Sequence, residues 1–193
     1  MKIIFATNSP RRKELLKEFN IDVEFVSHLF NEDSMSRDKD PSSYCRAMAD
    51  KKTSSLIHLY PDNPIISADT IVVSPNNKIF EKPKSKEEAF RMLSSLSGNK
   101  HSVLTGVDLK FPQQAINFNF IEKTLVEFNE LEEEEIRYYI ERYNPLDKSG
   151  SYGIQDFSSI FVKSIEGCYF NVVGLPLSSL FFHLKKYKIV QFA

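Results

Sequence analysis

Short apolar runs alternate with amphipathic stretches along this chain, and the two periods separate its elements. Ile3-Ile4-Phe5 is a run too short for a helix, so Lys2–Ala6 predicts a first strand. Leu15, Leu16 and Phe19 then fall on one helical face, and Ser9-Pro10 is an N-cap followed by a first-turn proline, which predicts a helix over Ser9–Phe19. Val23–Val26 predicts a second strand, and polar His28 to Asp40 a loop. Asp40-Pro41 opens a helix carrying Tyr44, Met48 and Lys52 at steps of four. The β-branched run Ile65–Val73 predicts a central strand, Asn76-Asn77 a hairpin turn, and Ile79-Phe80 the returning strand. Ser85 with Glu88 forms a capping box for a helix to Leu96, ended at Gly98.

Ser102–Phe111 and Ile116–Phe128 alternate over long stretches around Pro112 and predict two long antiparallel strands. Asn129 with Glu132 predicts a capped helix to about Tyr143, closed by Pro145. Asp147–Gly153 reads as a loop, Ile160–Ile165 as a strand, Pro176 as the start of a helix to about Lys186, and Ile189–Phe192 as a closing strand. The pattern is mixed α/β with long antiparallel strands rather than a βαβ repeat, in one domain spanning residues 1–193.

Composition narrows the class. The formal net charge of -1 gives no whole-chain attraction to nucleic acid or membrane, so any polyanion site must be local. Cys45 and Cys168 lie far apart and form no CxxC pair, which predicts buried, reduced thiols. No apolar run approaches the ~18 residues that would read as a membrane span. The basic-then-apolar start is too short for a signal peptide, and the expected compartment is the cytosol.

Several residues stand out for their chemistry. Arg11 and Arg12 fall in the first turn of a helix, where the dipole favours acids. They are either two solvated surface arginines or compensated by a bound anion, most simply a phosphate chain. Asp69 interrupts Ile-Ile-Ser-Ala-Asp-Thr-Ile-Val-Val, and a buried carboxylate needs a partner. A metal ion or a water it deprotonates would serve, or the strand bulges there and Asp69 caps a turn. Glu32 lies in a polar loop, Lys52 shares a helix face with apolar residues, and Lys82 is held ahead of Pro83; each suits either solvent or an anion-binding cleft. Gly150-Ser151-Tyr152-Gly153-Ile154-Gln155 reads as a tight loop entering a strand, with glycines that permit close backbone approach. Neither GxGxxG nor a P-loop occurs, and His28, His58, His101 and His183 lack ligand spacing. His101, at the start of a strand, reads as structural.

Taken in order, Ala6-Thr7-Asn8-Ser9-Pro10-Arg11-Arg12, Ala68-Asp69-Thr70, Glu81-Lys82-Pro83, Leu96-Ser97-Gly98 with Thr105-Gly106-Val107, the loop Asp147 to Gln155, and Asn171-Val172-Val173-Gly174-Leu175-Pro176 resemble the Maf family of nucleoside triphosphate pyrophosphatases. The match runs from Ile3 to Leu184. The resemblance implies a mixed α/β fold with a bent central sheet, long antiparallel strands, flanking helices and two lobes around a cleft, as in inosine triphosphatase-like proteins. It implies cleavage between the α- and β-phosphates, house-cleaning of nucleotide pools, and a link to cell-division arrest. The form of the late loop resembles the subgroup acting on dTTP and UTP, with modified pyrimidine nucleotides as further candidates.

Carried over by position, the resemblance makes Asp69 the proton acceptor and Arg12, Thr70 and Gln155 the residues of base specificity. Ser9, Arg11, Arg12, Lys52 and Lys82 would bind phosphates, and Glu32 with Asp69 would hold a divalent cation, Mg²⁺ or Mn²⁺. A nucleoside triphosphate is the expected partner, with no stable nucleic acid, no membrane, and a homodimer as the assembly. Thr7 stands where serine is usual, and Asp156 follows Gln155 where glycine is common. Two rivals are an inosine triphosphate-type pyrophosphatase, echoed in Ala6-Thr7-Asn8, and a nucleotide-binding division regulator without turnover. The charge and the lack of an aromatic–basic stripe disfavour an RNA-binding module.

Overall fold

The computed structural model describes residues 1–19, 21–36 and 40–191. Among the described residues the sheet has seven strands: β1 (Ile3–Ala6), β2 (Val23–Val26), β3 (Ile65–Val73), β4 (Ile79–Phe80), β5 (Lys100–Phe111), β6 (Ile116–Phe128) and β7 (Val162–Glu166). Their order is β2-β1-β3-β5-β6-β7, with β4 on β3. The helices are α1 (Pro10–Lys17), α2 (Pro41–Ser54), α3 (Lys86–Leu96), α4 (Glu133–Arg142), α5 (Tyr169–Val173) and α6 (Leu177–Lys186). This is the mixed α/β class expected from the alternating patterns. The chain divides into two compact units.

The first unit comprises Met1–Asp69, Thr105–Glu122 and Gly174–Ala193. In it β1 runs parallel to both β2 and β3, with Phe5 opposite Phe25 and Ile66. Strand alternation sends Ile3 and Phe5 to a core with Leu16, Ile66, Leu109 and Leu180, and sends Ile4 and Ala6 to another with Leu56 and Ile65. Both faces are covered, which is why β1 reads as an unbroken apolar run. Helix α2 begins where Asp40 accepts the backbone N–H of Ser42 and Ser43, and it buries Tyr44, Cys45, Met48, Ala49, Lys52 and Thr53.

The second unit comprises Thr70–Leu104 and Lys123–Val173. Its core gathers Val72, Phe80, Leu93, Val103, Phe128, Tyr139, Tyr152 and Phe161. Helix α3 starts at the expected cap, with Ser85 Oγ accepting Glu88 N–H, and Asn77 turns the β3–β4 hairpin in the left-handed region. Strand β7 pairs antiparallel with β6.

Several expectations are corrected. The first helix ends at Lys17, and Ser9 holds the N-cap position without a side-chain cap; its backbone N–H instead donates to Thr7 Oγ1 at 3.1 Å. Asn129 does not start α4. Its N–H and side-chain amide bond to Phe161 O and Ile160 O, so the chain stays extended until Glu132, whose N–H is taken by Glu135. The strand expected from Ile160 begins at Val162, because Asp156 caps a 3-10 turn over Phe157–Phe161. That turn also separates the glycine loop from the strand it was expected to enter. The short helix α5 was not expected from the pattern of the chain. Ile189–Gln191 form no strand, and Phe192 lies outside the described residues, as do positions 37–39 of the His28–Asp40 loop. Both cysteines are free, Cys45 buried and Cys168 only half-buried. Among the described residues no helix is long and apolar enough to cross a membrane.

Candidate active site

The charged centre of the first unit forms around Asp69. Helix α2 puts Cys45 and Lys52 two turns apart on one face, and both reach this residue. Lys52 Nζ lies 2.7 Å from Asp69 Oδ1 and 3.2 Å from Glu32 Oε1, so one ammonium serves two carboxylates. The pair is unequal in exposure: the Asp69 side chain is 12% exposed and that of Glu32 48%. Neutralisation by Lys52 answers how a carboxylate survives inside β3. The strand continues through Asp69 to Val73, so the capped-turn reading of that acid falls away.

Two residues of this centre were not predicted from sequence. His28 Nε2 lies 2.9 Å from Glu32 Oε1. That hydrogen bond, aided by Lys52 and opposed by burial, pushes the Glu32 carboxyl down to about 2. Cys45 donates its thiol to Asp69 O at 3.0 Å and accepts Gly106 N–H at 3.0 Å. Burial pushes this thiol far up, so it is a structural donor and not a nucleophile. A Cβ on Gly106 would lie 2.7 Å from Cys45 O, which explains glycine at that point of β5. The i, i+4 spacing of His28 and Glu32, and the two-turn spacing of Cys45 and Lys52, were the available signals.

Arg12 has a different placement from that of a surface cation. Its Nε donates to Gly174 O and its Nη1 to Ala68 O, both at 2.8 Å, tying α1 to the strand residue just before Asp69. Desolvation lowers its pKa, against the pull of Asp69. Arg11 and Ser9 stand beside it at the start of α1, half-buried.

The second unit holds Thr70, Lys82 and Gln155. Ser149 Oγ donates to Thr70 O at 2.9 Å, and Gly150 N–H to Glu81 O at 3.1 Å, so the glycine loop is laced to β3 and to the residue before Lys82. Gly150 has φ +71, and a Cβ there would lie 2.7 Å from Val72 Cγ2, so this position needs glycine on both counts. Asp156 N–H donates to Gly153 O at 3.0 Å and closes a turn with Gln155 exposed at its tip. Lys82 is exposed and Thr70 half-buried. The first unit thus brings together Arg12, Glu32, Lys52 and Asp69, and the second brings Thr70 and the Glu81-Lys82 step to the loop that carries Gln155.

The donor set suits a hard cation. Glu32 and Asp69 already converge on one positive group, and two carboxylates completed by substrate oxygens are a usual magnesium environment. Among the described residues no group of three or more His, Cys, Asp and Glu gathers into a closed metal cage. His101 is no ligand candidate: it is buried, its Nε2 lies 2.8 Å from Tyr152 OH, and burial pushes its pKa down to about 4.

Fold and site define a mixed α/β protein with a charged centre assembled on strand β3. The chain matches the family described as Maf-like protein over residues 2–187, and it belongs to that family. A relative from Thermosipho africanus, named dTTP/UTP pyrophosphatase, is 47% identical over 93% of this chain and 90% of its own length. Proteins of the same name from Clostridium perfringens strain SM101 and Geobacillus sp. strain WCH70 are 42% and 46% identical, covering 98% and 92% of this chain and 98% and 93% of theirs. Among solved structures, a HAM1 protein from Coxiella burnetii superposes with a TM-score of 0.51 at 11% identity, over 96% of this chain and 99% of that one, a likeness of fold alone.

Proposed function

We propose that this chain hydrolyses dTTP and UTP to the nucleoside monophosphate and pyrophosphate, removing nucleotides from the cellular pool. The observation that carries the chemistry is the buried Asp69 carboxylate paired at 2.7 Å with Lys52, with Glu32 on the same ammonium. The names of relatives more than 40% identical over nearly the whole chain support the substrate.

In this reading Asp69 orients a water for in-line attack on the α-phosphorus and takes its proton. The new P–O bond forms as the bond to the bridging α,β-oxygen breaks, and pyrophosphate leaves. Lys52 holds the Asp69 carboxylate at 2.7 Å and offers charge to the phosphates. Ser9, Arg11, Arg12 and Lys82 complete the phosphate contacts, and Thr70 and Gln155, with Arg12, read the base. Glu32 and Asp69 would hold Mg²⁺ or Mn²⁺, which supplies neutralisation of the phosphate charge. His28 holds the Glu32 carboxylate in place, and Cys45 and Arg12 hold the backbone on either side of Asp69. The proposal extends to residues 1–193 working as one functional domain, as a homodimer and in the cytoplasm; sedimentation and cell fractionation test the last two.

The deciding experiment is pyrophosphate release from dTTP, UTP, CTP, 7-methyl-GTP and ITP with Mg²⁺ or Mn²⁺, for the native chain and Asp69→Asn. Release from dTTP and UTP that Asp69→Asn abolishes is the expected result. Preference for ITP would transfer the chain to the inosine triphosphate-type reading, and UTP binding without turnover would make it a nucleotide sensor.

A further inference from the structure

The turn that carries Gln155 is held from behind by a carboxylate. Asp156 closes the turn with its backbone N–H on Gly153 O. Its side chain then reaches back into the second unit. Oδ1 accepts Ser158 N–H at 2.9 Å and lies 2.8 Å from Ser158 Oγ; Oδ2 accepts the Tyr139 hydroxyl at 3.2 Å and lies 3.5 Å from Lys148 Nζ. Ser158 Oγ also accepts Gly153 N–H at 3.0 Å, so one hydroxyl bonds to both ends of the turn. Tyr139 is fully buried in the core and cannot follow a moving loop. Gly153 packs against this anchor: a Cβ there would lie 2.7 Å from Lys148 Cε and 3.1 Å from Asp156 Oδ2. The turn is bonded to the core on its inner side, and of residues 153–156 Gln155 alone is exposed.

We propose that Asp156, with Ser158, is a positioning residue for base choice: it fixes how far the Gln155 amide projects. This rests on Gln155 reading the base. A glutamine amide pairs with the N3–H and a carbonyl of uracil, and it pairs as well with the N1–H and carbonyl of guanine. Hydrogen bonding alone therefore does not separate pyrimidine from purine. Depth does, because guanine presents the same edge one ring further from the sugar. A turn locked at one depth accepts the smaller base and clashes with the larger, and a turn free to retreat admits both.

The test is the ratio of kcat/KM for UTP to that for GTP, measured on single preparations of native chain, Asp156→Gly, Asp156→Asn, Ser158→Ala and Gln155→Ala. Both rates come from the same molecules, so loss of folded protein cancels. Asp156→Gly should lower the ratio about tenfold, with Ser158→Ala and Asp156→Asn lowering it less. A ratio unchanged in all three anchor variants, with Gln155→Ala shifting it, overturns the positioning role and leaves the base-reading role standing. A ratio unmoved by Gln155→Ala as well overturns the reading on which it rests.

Discussion

The charged centre of the first unit and the glycine loop of the second are built by opposite means. Around Asp69 a few strong contacts converge: one lysine on two carboxylates, one thiol and one guanidinium on the flanking backbone. The Ser149–Asp156 segment is held by many modest bonds, mostly from backbone groups, to Thr70, Glu81, Lys148 and Ser158. A centre of the first kind concentrates charge, and one substitution strips it. A loop of the second kind shares its geometry among neighbours, so a single change shifts where it presents a side chain and leaves the rest standing.

The sharpest break of that comparison is Asp69→Asn, which keeps shape and removes the base. A fall in pyrophosphate release of about 10³-fold is expected, within the usual range for a lost general base. Lys52→Met comes next, in stability as well as rate. It leaves the nearly buried Asp69 carboxylate without its cation, a change that costs about 3–5 kcal/mol in comparable buried pairs. The urea midpoint should fall accordingly, and a midpoint equal to the native one would show that the pair does not hold the centre.

Acid should separate the two regions. His101 packs edge-on against Phe128 and Tyr152 behind the loop, with its folded pKa at about 4 against an ordinary 6.5. The unfolded chain takes up that proton first. The stability tied to neutral His101 is therefore complete above about 6.5 and is lost as pH falls towards 4, by about 3 kcal/mol in all. Glu32 runs lower: what its carboxylate contributes is present above its ordinary value of 4.5 and is lost only as pH falls towards about 2, reduced by solvent screening at its half-exposed position. Between pH 7.5 and 5 the urea midpoint should drop in the native chain and hold steadier in His101→Gln. An equal drop in both would remove His101 as the cause. The smallest expected effect is Gly106→Ala, where the added methyl meets the Cys45 carbonyl and costs about 2 kcal/mol by overpacking. Its unfolding midpoint and its kcat should fall together if α2 positions Asp69.

Most of the frame was legible along the chain. Apolar and β-branched runs, alternation, helical spacing and cap and turn residues predicted β1 to β6, α1 to α3 and α6, because each element must cover apolar residues and end where a cap or turn suits it. The reading failed at Asn129 and Ile160, where each residue suited a cap or a strand locally and a distant partner decided otherwise: Asn129 bonds to Ile160 and Phe161, and Asp156 caps the turn before β7. The acids and lysines of the centre were visible as types out of place, Asp69 in a strand above all. His28 and Cys45 were not: their spacing from Glu32 and Lys52 puts them close by along the chain, but a loop histidine or a helical cysteine does not announce which atom it will touch.

The mixed α/β class, an acid within β3, the basic start of α1 and the glycine positions of the late loop are written in the order of the residues alone, since these follow from local period, charge and backbone freedom. That Lys52 answers both Asp69 and Glu32, that Arg12 directs its donors to Ala68 and Gly174, and that Asp156 reaches Tyr139 comes from the folded packing. Those pairings join residues far apart in the chain. Hydrogen bonds and ion pairs act over a few ångströms, and only the packing of α1, α2, β3 and α4 brings such groups that close.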